Sequence, residues 1–214
     1  MTLFAGMSHF AAAQSLNWKN MQAVNHVANV HFGLDYGITY GIGFSYILPT
    51  KRPWALSFGL SLPMGEERVD DLKTKIGAQF CVLKTDILMV NASFMGVYRR
   101  FENDQVRLQN FGSDLKLAGG IAKSKWFLLA EVGFDKAIVT HFKHSDAYKQ
   151  EIYAMVVDGW YEPATGGNFY YGLQSGYSMT KADITLNIGK VISQDFKTSP
   201  FLPFYLNLGY NLKF

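Results

Sequence analysis

Apolar and polar residues alternate along most of this chain. In its last stretch Phe204, Leu206, Leu208, Tyr210, Leu212 and Phe214 are separated by Tyr205, Asn207, Gly209, Asn211 and Lys213. Before it, Ala182, Ile184, Leu186 and Ile188 alternate with Asp183, Thr185, Asn187 and Gly189. Earlier still, Phe169, Tyr171, Leu173, Tyr177 and Met179 face away from Tyr170, Gly172, Gln174, Gly176 and Ser178. A period of two is the signature of β-strands with one apolar face. The pattern recurs over 126–138 (Trp126, Leu128, Ala130, Val132, Phe134), 107–122 (Phe111, Leu115, Leu117, Ile121) and 86–99 (Leu88, Val90, Phe94, Tyr98). It continues over 72–84 (Leu72, Ile76, Phe80, Val82), 54–64 and 36–48, and more weakly over 23–34, where Val24, Ala28, Val30, Phe32 and Leu34 share a face. The expected fold is all-β, with about ten antiparallel strands in up-and-down order.

Strand length points to the environment. These segments run to about 10–13 residues, whereas the mean globular strand has about 5–6 and a tilted strand crosses a bilayer in about 9–11. The connections alternate between short (49–53, 84–86, 123–125, 180–181) and long (65–71, 100–106, 139–167, 193–202), the layout of a transmembrane barrel. An even strand count leaves both termini on the short-turn side. Aromatic residues gather at the strand ends: Tyr46, Trp54, Trp126, Tyr177 and Phe214 toward the short turns, Tyr36, Tyr98, Phe169 and Phe204 toward the long loops. Two such girdles suit the two membrane interfaces. The cations on the apolar face, Lys84, Lys136 and Lys190, lie at strand ends, where they reach water. A soluble lipid-carrying barrel would turn the same alternation inside out, and strand length and girdles argue against it.

The alternating strands over 23–214 and the terminal Tyr210-Asn211-Leu212-Lys213-Phe214 resemble the outer-membrane β-barrel proteins of Gram-negative bacteria. The resemblance implies an integral outer-membrane barrel with periplasmic termini, and a last strand ending in Phe214 that the barrel-assembly machinery reads. It is architectural, so it carries no functional residues with it.

Composition narrows the rest. Charged residues make up 17% of the chain and the net charge is +3, which argues against a nucleic-acid partner. The single cysteine, Cys81, excludes an intramolecular disulfide and a cysteine metal cluster. Leu3–Ala13 is a short apolar run ending in Ala11-Ala12-Ala13, so 1–13 reads as a signal peptide without its usual basic start, followed by a barrel domain over 14–214.

On the inward face Lys73, Lys75, Arg99, Lys116 and Lys213 meet Asp35, Asp114, Glu131, Asp135 and Asp183. Such a balanced set forms internal ion pairs, and the many inward glycines either let the wall close on them or leave a thin water path. The loop 139–167 is expected to carry a short helix capped by Ser145-Asp146, presenting Tyr148, Ile152, Met155 and Val156, together with Trp160, to a protein or ligand. His141 and His144 beside Asp146 share one side only in a helix and have no third ligand, so no metal is assigned. His31 with Asp35, and His141 with Ser145 and Asp146, lack the spacing of a hydrolase triad. No catalytic residue and no cofactor is assigned. The functional expectation is a structural or loop-binding barrel with a polar-packed lumen. A narrow porin-like channel is the alternative, and an outer-membrane hydrolase the third reading.

Overall fold

The computed structural model describes residues 15–21, 24–48, 50–64, 71–164, 166–200 and 202–214. The strands are β1 (His26–Leu34), β2 (Ile38–Leu48), β3 (Trp54–Pro63), β4 (Asp71–Lys84), β5 (Leu88–Glu102) and β6 (Val106–Ala122). They continue with β7 (Trp126–His144), β8 (Gly159–Tyr161), β9 (Gly167–Ser178), β10 (Ala182–Ser193) and β11 (Phe204–Lys213). Each strand pairs antiparallel with the next, β7 passing to β9, and β11 returns to β1 from Val27↔Lys213 to Leu34↔Leu206. The result is a closed ten-stranded up-and-down antiparallel barrel, with β8 an appendage on the upper edge of β7. Closure gives each of the ten barrel strands a neighbour on both sides, a necessity for β-structure in hydrocarbon.

The alternation sorts as expected. Val30, Phe32, Ile42, Phe58, Ile76, Phe94, Leu117, Val132, Leu186 and Leu208 are exposed on the outside, while their neighbours are buried in the lumen. An apolar exterior around a polar interior is a membrane protein's distribution. At the short-turn rim Trp54 stacks on Phe80, and His26 lies against Tyr46 and Phe214. At the other rim Tyr98 packs on Phe111 and Phe134 on Phe169.

Four expectations need correction. Tyr36 does not join the lipid girdle: its ring lies within 4.4 Å of the Arg99 guanidinium and 5.5 Å of Lys73 Nζ, over the lumen. Val24 precedes β1 and packs against the lumen's apolar cluster rather than facing lipid. The connection over 100–106 is no long loop, because β5 and β6 run on to a tight turn in which Asn103 Oδ1 accepts from the amides of Gln105 and Val106. β7 likewise continues to His144, so β5–β7 rise above the rest of the rim. Charges hide these extensions in the sequence: Glu102 pairs across the turn with Arg107 and along its strand with Arg100, and all three interrupt the outward apolar row. The expected signal peptide and most of the acidic connection after Met64 lie outside the described residues.

Glycines make room for large inward side chains. A Cβ on Gly133 would sit 2.1 Å from Tyr170 Cζ, and one on Gly176 would sit 2.4 Å from the Phe127 ring. Gly133→Val should therefore lower the stability of the folded barrel by about 1–3 kcal/mol. A urea titration followed by the gel shift between folded and heated protein would measure it; an unchanged midpoint would contradict the packing.

Candidate functional site: the barrel lumen

The lumen has two chemically distinct parts. Toward the short turns the inward residues are apolar: Val27, Ile47, Ala55, Cys81, Met89, Ala118, Ala122, Phe127 and Leu129. The segment before β1 fills this part, inserting Leu16, Trp18 and Met21 among them. Asn17 caps the 3-10 turn Trp18–Asn20 by accepting from the Lys19 amide. The same side chain donates to Lys123 O at 2.9 Å and to Ser178 Oγ at 3.0 Å. Ser15 reaches mid-barrel, its hydroxyl donating to Asn187 Oδ1 while its carbonyl accepts from Asn211 Nδ2. Lys19 donates to Asp86 O and Asn20 to Met179 O, tying the segment to the turns. Residues 15–21 thus form a plug that nothing in the alternation of the strands marked. The available signal is Leu16, Trp18 and Met21 beside a Ser-x-Asn, which reads equally as an ordinary apolar lead-in. Against the plug lies a cavity of about 420 Å³ lined by Trp18, Met21, Ile47, Cys81 and the turn 50–53.

Above the plug the lumen is polar and charged. The pairs expected from alternation form across strands: Lys73–Asp35 at 3.1 Å, Lys75–Asp114 at 2.5 Å, Lys213–Asp183 at 2.8 Å and Lys116–Glu131 at 3.7 Å. Arg99 instead makes a two-pronged contact with Asp71, whose place at the start of β4 sequence reading assigned to a loop. Asp135 has no ion pair among the described residues; it accepts from Asn168, and its Oδ1 has no hydrogen-bond partner. Glu131 collects hydrogen bonds from Gln174 and the Tyr205 hydroxyl, and Tyr170 donates to Asp114 at 2.7 Å. Tyr36 closes the top, its hydroxyl donating to Asp71 O. Lys73 is 1% exposed and Asp183 0%, so these groups fill the bore. Charges so far from water persist only when each finds an opposite charge or several hydrogen bonds.

The other candidates are separated. His31 bridges Asn29 and Ser61 and does not meet Asp35. His141 and His144 lie on a strand, not a helix, and diverge: His141 packs edge-on against Trp160, while His144 Nδ1 is 2.8 Å from Asp158 Oδ1. Among the described residues no group of three or more His, Cys, Asp or Glu is placed to hold a metal. Cys81 is buried against the plug.

The loop helix forms but is shorter than expected. α1 (Asp146–Glu151) is capped by Ser145, whose hydroxyl accepts from the Tyr148 amide. It stops at Ile152, so Met155 and Val156 lie beyond it and the expected common face does not exist. The loop turns back because Asp158 binds Lys149 at 2.6 Å and the His144 amide at 2.8 Å, and a single helical turn has little strength to resist. The Lys149 ammonium and then the His144 donors hold the Asp158 carboxyl well below the usual carboxylate range. Ile152, Met155 and Trp160 remain exposed, Trp160 on β8 against Phe111, while Tyr148 packs on His144.

No family model and no curated protein matches the chain. Its fold is similar to solved barrels at low sequence identity. A KdgM porin is 8% identical, with a TM-score of 0.41 over 88% of this chain and 99% of that one. A KdgM porin in complex with disordered oligogalacturonate gives 8% and 0.40 over the same shares. A CymD monoaromatic hydrocarbon channel gives 8% and 0.36 over 91% and 90%.

The buried pairs yield a direct test. Lys73→Met leaves the Asp35 carboxylate buried without its counter-ion and should cost about 3–5 kcal/mol. Adding Asp35→Leu should recover most of that loss. Urea midpoints of the folded barrel measure both, and a double variant no more stable than the single would show that the pair is not coupled.

Proposed function

We propose that this protein is a narrow, porin-like channel of the outer membrane, closed at rest by its own N-terminal segment, for small polar solutes. The observation that carries this reading is the division of labour in the lumen. The upper bore is lined with charged and amide groups, and the apolar lower part is stoppered by residues 15–21, which are not part of the wall. A barrel serving only as a scaffold fills with its own wall side chains and needs no separate stopper. The stopper is held by a few side-chain hydrogen bonds, and a cavity beside it gives it space to shift. With the plug displaced, the ring of Val27, Ile47, Met89, Phe127 and Leu129 becomes an apolar constriction, which gates by wetting and drying.

The polar set Lys73, Lys75, Arg99, Asp114, Lys116, Glu131, Asp135 and Asp183 is packed across the bore at rest and lines the solute path once these side chains part with the plug. Its near balance of signs favours neutral or zwitterionic solutes over strongly charged ones. The strand ending in Phe214 is proposed to engage the barrel-assembly machinery, with both termini periplasmic and 1–13 removed on export. A second reading is supported by the exposed loop apolars, with Met155 79% exposed: the barrel displays Ile152, Met155, Val156 and Trp160, beside Tyr148, to a partner.

Single-channel recording in planar bilayers tests the proposal. Wild-type protein should be closed most of the time. Asn17→Ala, which removes buried hydrogen bonds at about 0.5–1.5 kcal/mol each, should raise the open probability roughly tenfold. Trp18→Ala and deletion through residue 21 should raise it further. Folded variants that pass no current would overturn the channel and leave the loop reading. Independently, Phe214→Ala should slow insertion catalysed by the assembly machinery while leaving spontaneous folding into detergent unchanged; equal catalysed rates would refute that role.

A further inference from the structure

One carboxylate in the bore is left out of the charge pairing. Lys73, Lys75, Arg99, Lys116 and Lys213 each stand against a carboxylate other than Asp135. Asp135 is 3% exposed, and register sets it directly opposite Asp114 on β6. Both Asp114 oxygens are already taken, Oδ2 by Lys75 at 2.5 Å and Oδ1 by the Tyr170 hydroxyl at 2.7 Å. Lys73 and Lys75 act on Asp135 only from a distance, each bonded to a different carboxylate. Like charges directly opposite one another repel across a strand pair, and a buried carboxylate without a counter-charge is among the costliest groups a fold can hold.

The same level of the wall carries a second bare acceptor. Asp135 on β7 is the register partner of Asn168 on β9, and Asn168 is the partner of Ser193 on β10. The row stands at the long-loop end of the bore, where β9 begins and β10 ends. Asn168 donates to Asp135, while Asp135 Oδ1 and Ser193 Oγ, both buried, have no hydrogen-bond partner. Strands two places apart are separated by about 10 Å, and side chains that converge toward the axis of a narrow barrel shorten that gap. A group that satisfies both oxygens has to bring hydrogen-bond donors and one positive charge. Water brings donors without charge. An alkali ion brings charge without donors and asks for a fuller shell of oxygens than these two. Among the described residues no cluster of three or more His, Cys, Asp or Glu is placed to hold a metal ion. A primary ammonium brings one charge and three donors on a single nitrogen.

We propose that Asp135 and Ser193, with Asn168 between them, bind a primary ammonium group, so that the solutes taken by the bore are small amines and zwitterions that carry one. The site belongs to the closed barrel; only its service to transport rests on the channel reading above. The test uses the full chain folded in detergent, titrated with 13C-methylammonium chloride and followed by line broadening of the methyl resonance. Wild type should show one saturable site and bind methylammonium about tenfold more tightly than tetramethylammonium, which has the charge but no N–H donor. Asp135→Asn keeps the shape and removes the charge, and should reduce binding to that of a detergent blank. Ser193→Ala should weaken it about threefold, as the loss of one hydrogen bond does. The gel shift on heating confirms that each variant is folded. Displacement of methylammonium by equimolar sodium, no saturable binding in wild type, or undiminished binding by Asp135→Asn overturns the proposal. Conductance of the barrel deleted through residue 21 is read separately. Current without methylammonium binding keeps the channel and removes this site; binding without current keeps the site and removes the channel.

Discussion

A peptide group inside a bilayer has no water to bond, and the architecture of this protein descends from that constraint. Every N–H and C=O of a crossing strand has to be given to a neighbour, so the sheet closes from β11 onto β1 with eight residues of each in register. Closure fixes the circumference, and alternation then sends every second side chain into a narrow bore. Lipid claims the apolar residues for the outside, which leaves the polar ones to be packed in the lumen. The ion pairs Lys73–Asp35, Lys75–Asp114 and Lys213–Asp183 are thus a consequence of membrane residence.

The bore is too small for such side chains unless other positions give way. Gly133 yields to Tyr170, Gly41 to His31, and Gly172 with Gly189 to Tyr205. In turn Tyr170 and Tyr205 supply the hydroxyls that satisfy Asp114 and Glu131. Removing glycine side chains from the inner wall and adding tyrosines to it are one solution to one problem.

What the alternation could reveal was the part of the molecule with a period. Strand order, the apolar exterior and the inward identity of all ten expected charged residues follow from it, since a register shift of one residue would have sent them into lipid. Elements without a period stayed hidden. Residues 15–21 bury Leu16, Trp18 and Met21 among side chains from β1 to β7, while Ser15 and Asn17 bond more than a hundred residues away, and no local pattern encodes a distant cavity. In the upward extensions of β5, β6 and β7 Arg100, Glu102, Arg107 and Lys143 stand on the outward face, so the apolar stripe that marks the strands lower down is missing there. Tyr36 looked like a girdle residue by its place at a strand end, but Arg99 and Lys73 draw its ring inward. Asp71, the partner of Arg99, stayed out of the inward set because the start of β4 reads as part of a loop. The helix after Ser145 had its cap correctly marked, yet its length was decided by Asp158, an acceptor outside the helix.

The plug also carries information about time. Its apolar partners come from β1–β7, but several of the hydrogen bonds that lock it come from the far end of the chain: Ser178, Met179, Asn187 and Asn211. None of these positions exists as a binding surface until β9, β10 and β11 are in place, and contacts at such sequence separation form late. A segment that precedes every barrel strand is therefore fully locked only once the seam between the first and last strands has joined. Its docking reports on the completion of the ring, so that a barrel still open at that seam keeps a greasy, unoccupied end.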